Sequence, residues 1–194
     1  MSELAGHKTA LRLRLRAELK ALGGADRAPA SAELCARLRV SVAWQNAHSV
    51  LLFVPLPSEP DIAPLLEEAL AAGKLLALPR FHAGANAYEA VRVIDPVREL
   101  VIGPFQVREP VAACPKVALN RLDLALVPGL GFDARGGRLG RGKGHYDRLL
   151  ACFTGLKIAV AFDCQVVSQI PREPHDIALD AVVTPTRWIE ATRD

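Results

Sequence analysis

The sequence predicts a three-layer α/β sandwich built around a largely parallel sheet. Three observations predict it. Short apolar runs recur at residues 49–55, 75–80, 122–128, 157–163 and 181–185, each too short for a helix and flanked by Pro, Gly or Asp. Segments of helical periodicity lead the chain and separate several of these runs, the order expected of parallel strands joined by crossovers. A glycine-dense stretch follows directly on one run, and such sheets bind ligands beyond the C-terminal ends of their strands.

The first helix is expected from Glu3 to Leu22. Leu4, Leu11, Leu15, Leu19 and Leu22 fall on one stripe, and Gly23 and Gly24 stop the helix. Lys8, Arg12 and Arg16 form a row on the flank of that stripe. Two readings of the row stand open: a solvated basic flank, or a row leaning over an anionic ligand. A second helix is expected from Pro29 to Trp44, with Leu34, Leu38 and Val42 at helical spacing. Ser49 to Pro55 reads as a buried strand. Asp61 is the expected N-cap of a helix that runs to Ala72 and ends at Gly73. Leu75 to Arg80 is the next strand, halted by Pro79, which places Arg80 at its C-terminal end. Phe81 to Ala87 reads as a loop and Tyr88 to Ile94 as an exposed or edge strand. Residues 95–100 suit a short helical turn, and residues 103–119 read as irregular. Leu122 to Pro128 is a buried strand, and after the glycine loop a helix opens near His145 and runs to Phe153. Lys157 to Asp163 and Ala181 to Pro185 are the last strands, with a helical turn near Cys164 and a loop over 171–180 between them. The groups just past strand ends are Glu59, Arg80, the glycine loop, Asp163 to Gln165, and Thr184. No repeat or linker divides the 194 residues, so a single domain is expected.

With 51% hydrophobic residues the chain can bury a sizeable core. A net charge of +3 without a block of like charges argues against nucleic acid as the main partner, and 5% aromatic residues argue against base-stacking platforms. Cys35, Cys114, Cys152 and Cys164 form no CxxC pair and have no His at metal-ligand spacing, so they read as reduced thiols, some of them core fillers. The N-terminus is Arg-rich and amphipathic, but Glu3 and Glu18 do not suit a transit peptide, and no apolar run approaches the length that crosses a bilayer. A cytoplasmic protein without a membrane partner is expected, working as a monomer or weak homodimer.

The chemistry concentrates in Val127 to Leu150. Seven of the chain's 14 glycines lie here: Gly129, Gly131, Gly136, Gly137, Gly140, Gly142 and Gly144. Arg135, Arg138, Arg141 and Lys143 are threaded among them, with Asp133 and Asp147 near the two ends. Glycines let backbone N–H groups turn inward, a following helix adds a positive dipole end, and Arg and Lys complete a phosphate cradle. A flexible basic loop is the other reading of the same composition. Gly137 to Lys143 reads G-x-x-x-x-G-K, but Gly144 stands where a P-loop needs Ser or Thr for Mg²⁺. Gly129-x-Gly131-x-x-Ala134 matches a dinucleotide fingerprint only loosely, since more glycine follows instead of a helix. Asp133 reads as a turn residue. Asp147 reads either as a Mg²⁺ ligand or as an ordinary charge in the first turn of a helix.

The stretch PGLGFDxxGxRLGRGKGHYD resembles the signature of the 5-formyltetrahydrofolate cyclo-ligase (5,10-methenyltetrahydrofolate synthetase) family. Other segments resemble that family in order: Lys8-x-x-x-Arg12, Glu59 in an E-x-D segment, Leu78-Pro79-Arg80, Glu109-Pro110, Ala161-Phe162 with Gln165, His175-Asp176, and the final AVVTP strand. The resemblance implies a Rossmann-like sandwich that converts 5-formyltetrahydrofolate to 5,10-methenyltetrahydrofolate, consuming ATP and Mg²⁺ and releasing ADP and phosphate. It implies that Arg141 and Lys143 act on the transferring phosphoryl group. Lys8, Arg12, Arg138, Gly140, Arg141, Gly142, Lys143, Gly144, His145 and Tyr146 would bind ATP, and Asp147 would support Mg²⁺. Glu59 would bind the folate at its pterin, whose amino-pyrimidinone edge offers paired N–H donors to a carboxylate. Arg80 would help with phosphate or with substrate charge. Phe53, Leu56, Phe81, Phe105 and Tyr146 would wall the pterin; for Phe53, Leu56 and Phe105 plain core packing is an equal alternative. Three departures stand out: Ile62 in place of the family's Thr, Phe81 where Tyr is frequent, and His145 where Tyr or Phe is frequent.

Overall fold

The chain begins with helices α1 (Glu3–Ala21), α2 (Gly24–Arg39) and α3 (Val42–Asn46), in a computed structural model that describes residues 3–173 and 175–192. Strand β1 (Ser49–Leu51), helix α4 (Ala63–Ala71) and strands β2 (Leu75–His82) and β3 (Ala87–Arg92) follow. Helix α5 (Pro96–Glu99) leads into a small hairpin of β4 (Leu100–Ile102) and β5 (Arg108–Pro110). The second half runs β6 (Leu124–Val127), β7 (Gly131–Phe132), β8 (Arg138–Leu139), α6 (His145–Leu150), β9 (Leu156–Val160), β10 (Ala181–Val183) and β11 (Trp188–Glu190).

Among the described residues the main sheet has seven strands in the order β11-β10-β9-β6-β1-β2-β3. The inner pairs β10–β9, β9–β6, β6–β1 and β1–β2 are parallel, and only the two edge pairings are antiparallel. The expected α/β sandwich is the observed fold.

The two faces of this sheet differ in residue size. One carries Val50, Leu76, Leu124, Leu126, Ile158 and Val160, packed under Leu34 and Leu38 of α2 and Leu65 and Leu66 of α4. The other carries Ala77, Ala125, Ala159 and Ala161 together with Leu51, Val127 and Val182, packed under Phe132, Leu149, Leu150 and Phe153. Alternation along each strand separates the two sets. The small residues leave depth on the second face for an aromatic layer, and this is where the glycine-rich segment docks.

Several element boundaries differ from the sequence reading. Helix α2 starts at Gly24 and carries Pro29 inside it, then breaks before Ser41, whose hydroxyl accepts the Trp44 N–H at 3.2 Å and opens α3. Asp61 is not the N-cap residue of α4, which is Ile62, but its side chain does accept the Ala63 N–H at 2.9 Å. Pro79 does not halt β2. Pairing with β1 ends at Ala77, so at Pro79 the strand has a neighbour on one side only, and a missing N–H is tolerated. Residues 103–119 contain β5, and the last strand pairs with β11, which the sequence reading lacks.

The glycine-dense segment is not a continuous loop. It folds back as the β7–β8 ribbon around Asp133, which is buried and accepts three backbone N–H groups: Arg135 at 2.9 Å, Gly137 at 2.8 Å and Ile170 at 2.7 Å. At the turn Gly136 has φ +74°, and its carbonyl takes the Leu179 N–H at 2.9 Å. A Cβ there would meet the Leu179 backbone.

Gly136→Ala therefore combines positive-φ strain with a backbone clash. It should destabilise the fold by roughly 2 kcal/mol or more. A lower urea midpoint at unchanged m would show this, and an unchanged midpoint would refute it.

Candidate active site

A cleft of about 380 Å³ opens beyond the C-terminal ends of β1 and β6, bordered there by Phe53 and Val54 and by Pro128 and Gly129, and beside Pro79 within β2. This is where a parallel sheet leaves backbone groups and loops free to meet a ligand. The glycine segment supplies one side through Arg138, Gly140, Arg141, Lys143 and Gly144. Gly142 and Gly144 adopt φ +106° and +63°, conformations that glycine enters without steric cost.

The cations on this side are individually fixed. Arg138 is buried and donates to Asp147 Oδ1 at 2.8 Å, with its guanidinium 5.5 Å from the centre of the Tyr146 ring. Arg12 does not line the cleft. It reaches from α1 to donate to the Gly140 carbonyl at 3.0 Å, bracing the loop from behind. Lys143 lies 4.0 Å above the Phe105 ring. Arg141, the most exposed of the paired arginines here, donates to Glu59 Oε1 at 3.0 Å, and Glu59 Oε2 accepts the Leu56 N–H at 3.0 Å.

An aromatic wall stands opposite. The Phe81 ring lies 4.8 Å from Phe105, 5.4 Å from His145 and 5.7 Å from Tyr88, edge to face in each case. Burial, followed by the nearby charge of Glu59, keeps the Tyr146 hydroxyl well above its ordinary range. Burial and then Glu109 push Tyr88 up to about 12. Burial, then Arg148 and Lys143, hold His145 below the usual imidazole value. Burial raises Glu109, although the Phe81 N–H and Tyr88 oppose the shift. The wall is thus mostly neutral and the loop side cationic.

Most of the residues singled out from sequence meet here: Phe53, Leu56, Glu59, Arg138, Gly140, Arg141, Lys143, Gly144, His145, Tyr146 and Asp147 line the cleft. Phe81 stands behind the wall and supports it. Besides Arg12, two more cations expected at the ligand are elsewhere. Arg80 pairs with Glu89 at 2.8 Å and donates to the carbonyls of Val111 at 2.7 Å and Cys114 at 3.2 Å, tying β2 and β3 to the segment after β5. Lys8 donates to Glu173 at 2.8 Å and Asp176 at 2.7 Å, so it ties these two carboxylates to α1. Gln165 and Thr184 are fully buried and structural: Gln165 donates to the Gly129 carbonyl at 2.9 Å, and Thr184 to Asp163 at 2.6 Å. Ile62 is also fully buried in the core, so its departure from Thr does not alter the cleft surface.

The sequence reading gave no role to Tyr88, Val107, Arg108 and Glu109, which also line the cleft. Three of them sit on or beside the β4–β5 hairpin, in the segment read as irregular. The Glu109-Pro110 dipeptide was the available signal.

Asp147 suits Mg²⁺ as a hard oxygen donor at the cleft edge, with one oxygen engaged by Arg138. Glu173, His175 and Asp176 also cluster within 4.8 Å, and the two carboxylates pair with the Lys8 ammonium.

Lys8→Met would remove that ammonium. Burial would raise the Asp176 carboxyl, but hydrogen bonds from Lys8 and the Glu173 N–H hold it below its ordinary value. A depressed folded pKa contributes stability above the unfolded pKa, and that contribution is lost as pH falls through the folded value. The melting-temperature gap between wild type and Lys8→Met should therefore be open at neutral pH and close from roughly pH 5 downward. A gap independent of pH would contradict this pairing.

The family model for the 5-formyltetrahydrofolate cyclo-ligase family matches residues 5–185. The Escherichia coli (strain K12) 5-formyltetrahydrofolate cyclo-ligase is 38% identical over 145 residues, covering 73% of this chain and 80% of that one. The Mus musculus enzyme of the same name is 30% identical over 188 residues, covering 91% and 92%. The solved structure of Aquifex aeolicus 5,10-methenyltetrahydrofolate synthetase superposes with a TM-score of 0.85 at 34% identity, covering 96% of this chain and 94% of that one.

Proposed function

We infer the division of labour in the cleft from one premise: this chain belongs to the 5-formyltetrahydrofolate cyclo-ligase family. It is a ligase of folate one-carbon metabolism that converts 5-formyltetrahydrofolate to 5,10-methenyltetrahydrofolate with ATP. The observation that carries the residue-level reading is the Glu59–Arg141 contact, because it joins a buried carboxylate on one side of the cleft to the glycine-loop cations on the other.

In this reading Arg138, Arg141, Lys143 and the N–H groups around Gly140, Gly142 and Gly144 hold the triphosphate. Arg12 holds the loop in place through Gly140, and Tyr146 packs beneath Arg138. Glu59 holds the folate, with Phe53, Leu56, Phe105 and Tyr146 along its ring. Mg²⁺ would be held by Asp147, where it would supply charge neutralisation on the phosphates. Arg141 and Lys143 orient the γ-phosphoryl group toward the formyl oxygen. That oxygen attacks phosphorus, the bond to the β-phosphate oxygen breaks, and ADP leaves. The formyl carbon then carries a phosphate leaving group in place of an unreactive amide oxygen. N10 attacks that carbon, the ring closes and, with loss of the N10 proton, phosphate departs. The neutral aromatic wall excludes water from the activated carbon. The protein acts in the cytoplasm, as a monomer or weak homodimer.

The test mixes purified protein with 5-formyltetrahydrofolate and Mg-ATP and follows methenyl formation by absorbance together with ADP release. Folded protein that shows no turnover overturns the activity. Lys143→Ala should weaken ATP binding by roughly tenfold or more, with a far smaller effect on folate, and Glu59→Ala should do the reverse. If both substitutions weakened only ATP, the assignment of Glu59 would be wrong.

A further inference from the structure

Among the described residues, five buried side-chain atoms have no hydrogen-bond partner, and three belong to cleft residues: Glu109 Oε1, Arg138 Nε and His145 Nε2. Arg138 is otherwise satisfied by Asp147. The other two belong to the aromatic wall and are of opposite type.

His145 is a donor. Arg148 Nη2 lies 2.8 Å from its Nδ1. A guanidinium can only donate, so Nδ1 accepts, and the ring is neutral with its proton on Nε2. Glu109 is an acceptor. Its Oε2 takes the Phe81 N–H at 3.0 Å, while Oε1 takes nothing; the Tyr88 hydroxyl lies near but makes no well-formed bond. The hairpin is shaped around this carboxyl, since a Cβ on Gly103 would stand 2.7 Å from Glu109 Cδ. Both groups border Phe81: Glu109 holds its backbone, and His145 packs 5.4 Å from its ring. Buried groups left unpaired are costly and few, so an opposed pair in one ligand cleft points to a ligand that completes both.

We propose that Glu109 and His145 read the lactam edge of the substrate's pterin: Glu109 Oε1 accepts a ring N–H, and His145 Nε2–H donates to the neighbouring carbonyl oxygen. This rests on the folate reading of the cleft. Adenine also carries a donor beside an acceptor, but ribose and two phosphates separate it from the γ-phosphoryl group. The pterin contains N5 itself, so its ring must lie next to the phosphoryl-binding cations. Lys143 stacks on Phe105, and Phe105 lies 5.9 Å from His145. Both atoms are buried beneath the wall, so in this proposal the half-buried Phe105 ring, which lies against Phe81 and His145, must move aside for the pterin. Glu59, with both oxygens engaged by Arg141 and Leu56, is left at the seam where phosphate meets folate.

The experiment uses titration calorimetry on wild type, His145→Phe and Glu109→Gln. The ligands are 5-formyltetrahydrofolate, a reduced folate with a 4-amino group in place of the 4-oxo group, and ATP. His145→Phe keeps the ring and removes the donor. Glu109→Gln keeps the volume and the Phe81 contact but turns an N–H toward the pterin N–H. Each should weaken 5-formyltetrahydrofolate roughly tenfold or more and leave ATP within about twofold. Wild type should prefer the 4-oxo ligand, because the 4-amino ligand lacks both the carbonyl and the ring N–H, and His145→Phe and Glu109→Gln should each lose part of that preference. Folate binding within about twofold of wild type in both variants overturns the proposal. So does a loss shared equally by ATP, or an equal loss for both pteridines in His145→Phe. Normal wild-type turnover beside indifferent variants would remove this proposal alone, whereas absent wild-type turnover would remove the folate reading beneath it.

Discussion

The buried carboxylate of Asp133 is the constraint on which the cleft depends. It accepts N–H groups from Arg135 and Gly137 within its own turn and from Ile170 across the fold. A buried carboxylate is tolerable only when its lone pairs are taken, so these three contacts form together or not at all. Together they fold the glycine segment into the β7–β8 ribbon. The ribbon sets Arg138 on β8, Arg138 sets Asp147, and the start of α6 follows from that pair. A loop rich in glycine and arginine would otherwise be too mobile to hold a phosphate at a fixed distance from a second substrate. The Ala-lined sheet face makes the docking possible, because Phe132 of the ribbon needs depth beneath it.

Charge is then partitioned across the cleft. Arg141 and Lys143 are held by groups that a phosphate can replace: a carboxylate oxygen and the Ser58 hydroxyl for one, an aromatic face for the other. Arg138 is held by an almost fully buried ion pair and is not free to leave. The loop thus combines a fixed cation with two that can be recruited. Glu59 is buried and would be left unpaired when Arg141 turns to phosphate, which is costly unless the second ligand brings donors to it. One ion pair therefore links occupancy of the two halves of the cleft.

Much of this was legible in the sequence because it rests on local pattern. Apolar runs of strand length gave the parallel core, and the glycine and cation density gave the phosphate side. What was not legible depends on contacts between distant segments. Pro79 marks a strand end only if the strand has neighbours on both sides, and the early end of β1 removes one of them. Arg80 and Lys8 read as ligand cations until Glu89, Glu173 and Asp176 arrive from elsewhere in the chain. Asp133 looked like a turn residue, which it is, but its bond to Ile170 spans 37 residues and left no local signal. Glu109 lay in a segment without periodicity, since a three-residue strand carries too little alternation to register.

The aromatic wall shows why the least legible part is also the most specific. Core positions are chosen for size and apolarity, and many sequences satisfy them. The wall is apolar in the same way, yet it keeps Glu109 Oε1 and His145 Nε2 unpaired where plain packing would favour carbon. The Phe81 N–H accounts for Glu109 Oε2 and Arg148 for His145 Nδ1, but packing gives no reason for the unpaired Oε1 and Nε2. Its retention beside the cations that would hold the phosphoryl group makes sense when the missing partners come with the ligand. The departure of His145 from Tyr or Phe is then more than a tolerated substitution, because Arg148 fixes its tautomer and so decides that the wall offers a donor at that point.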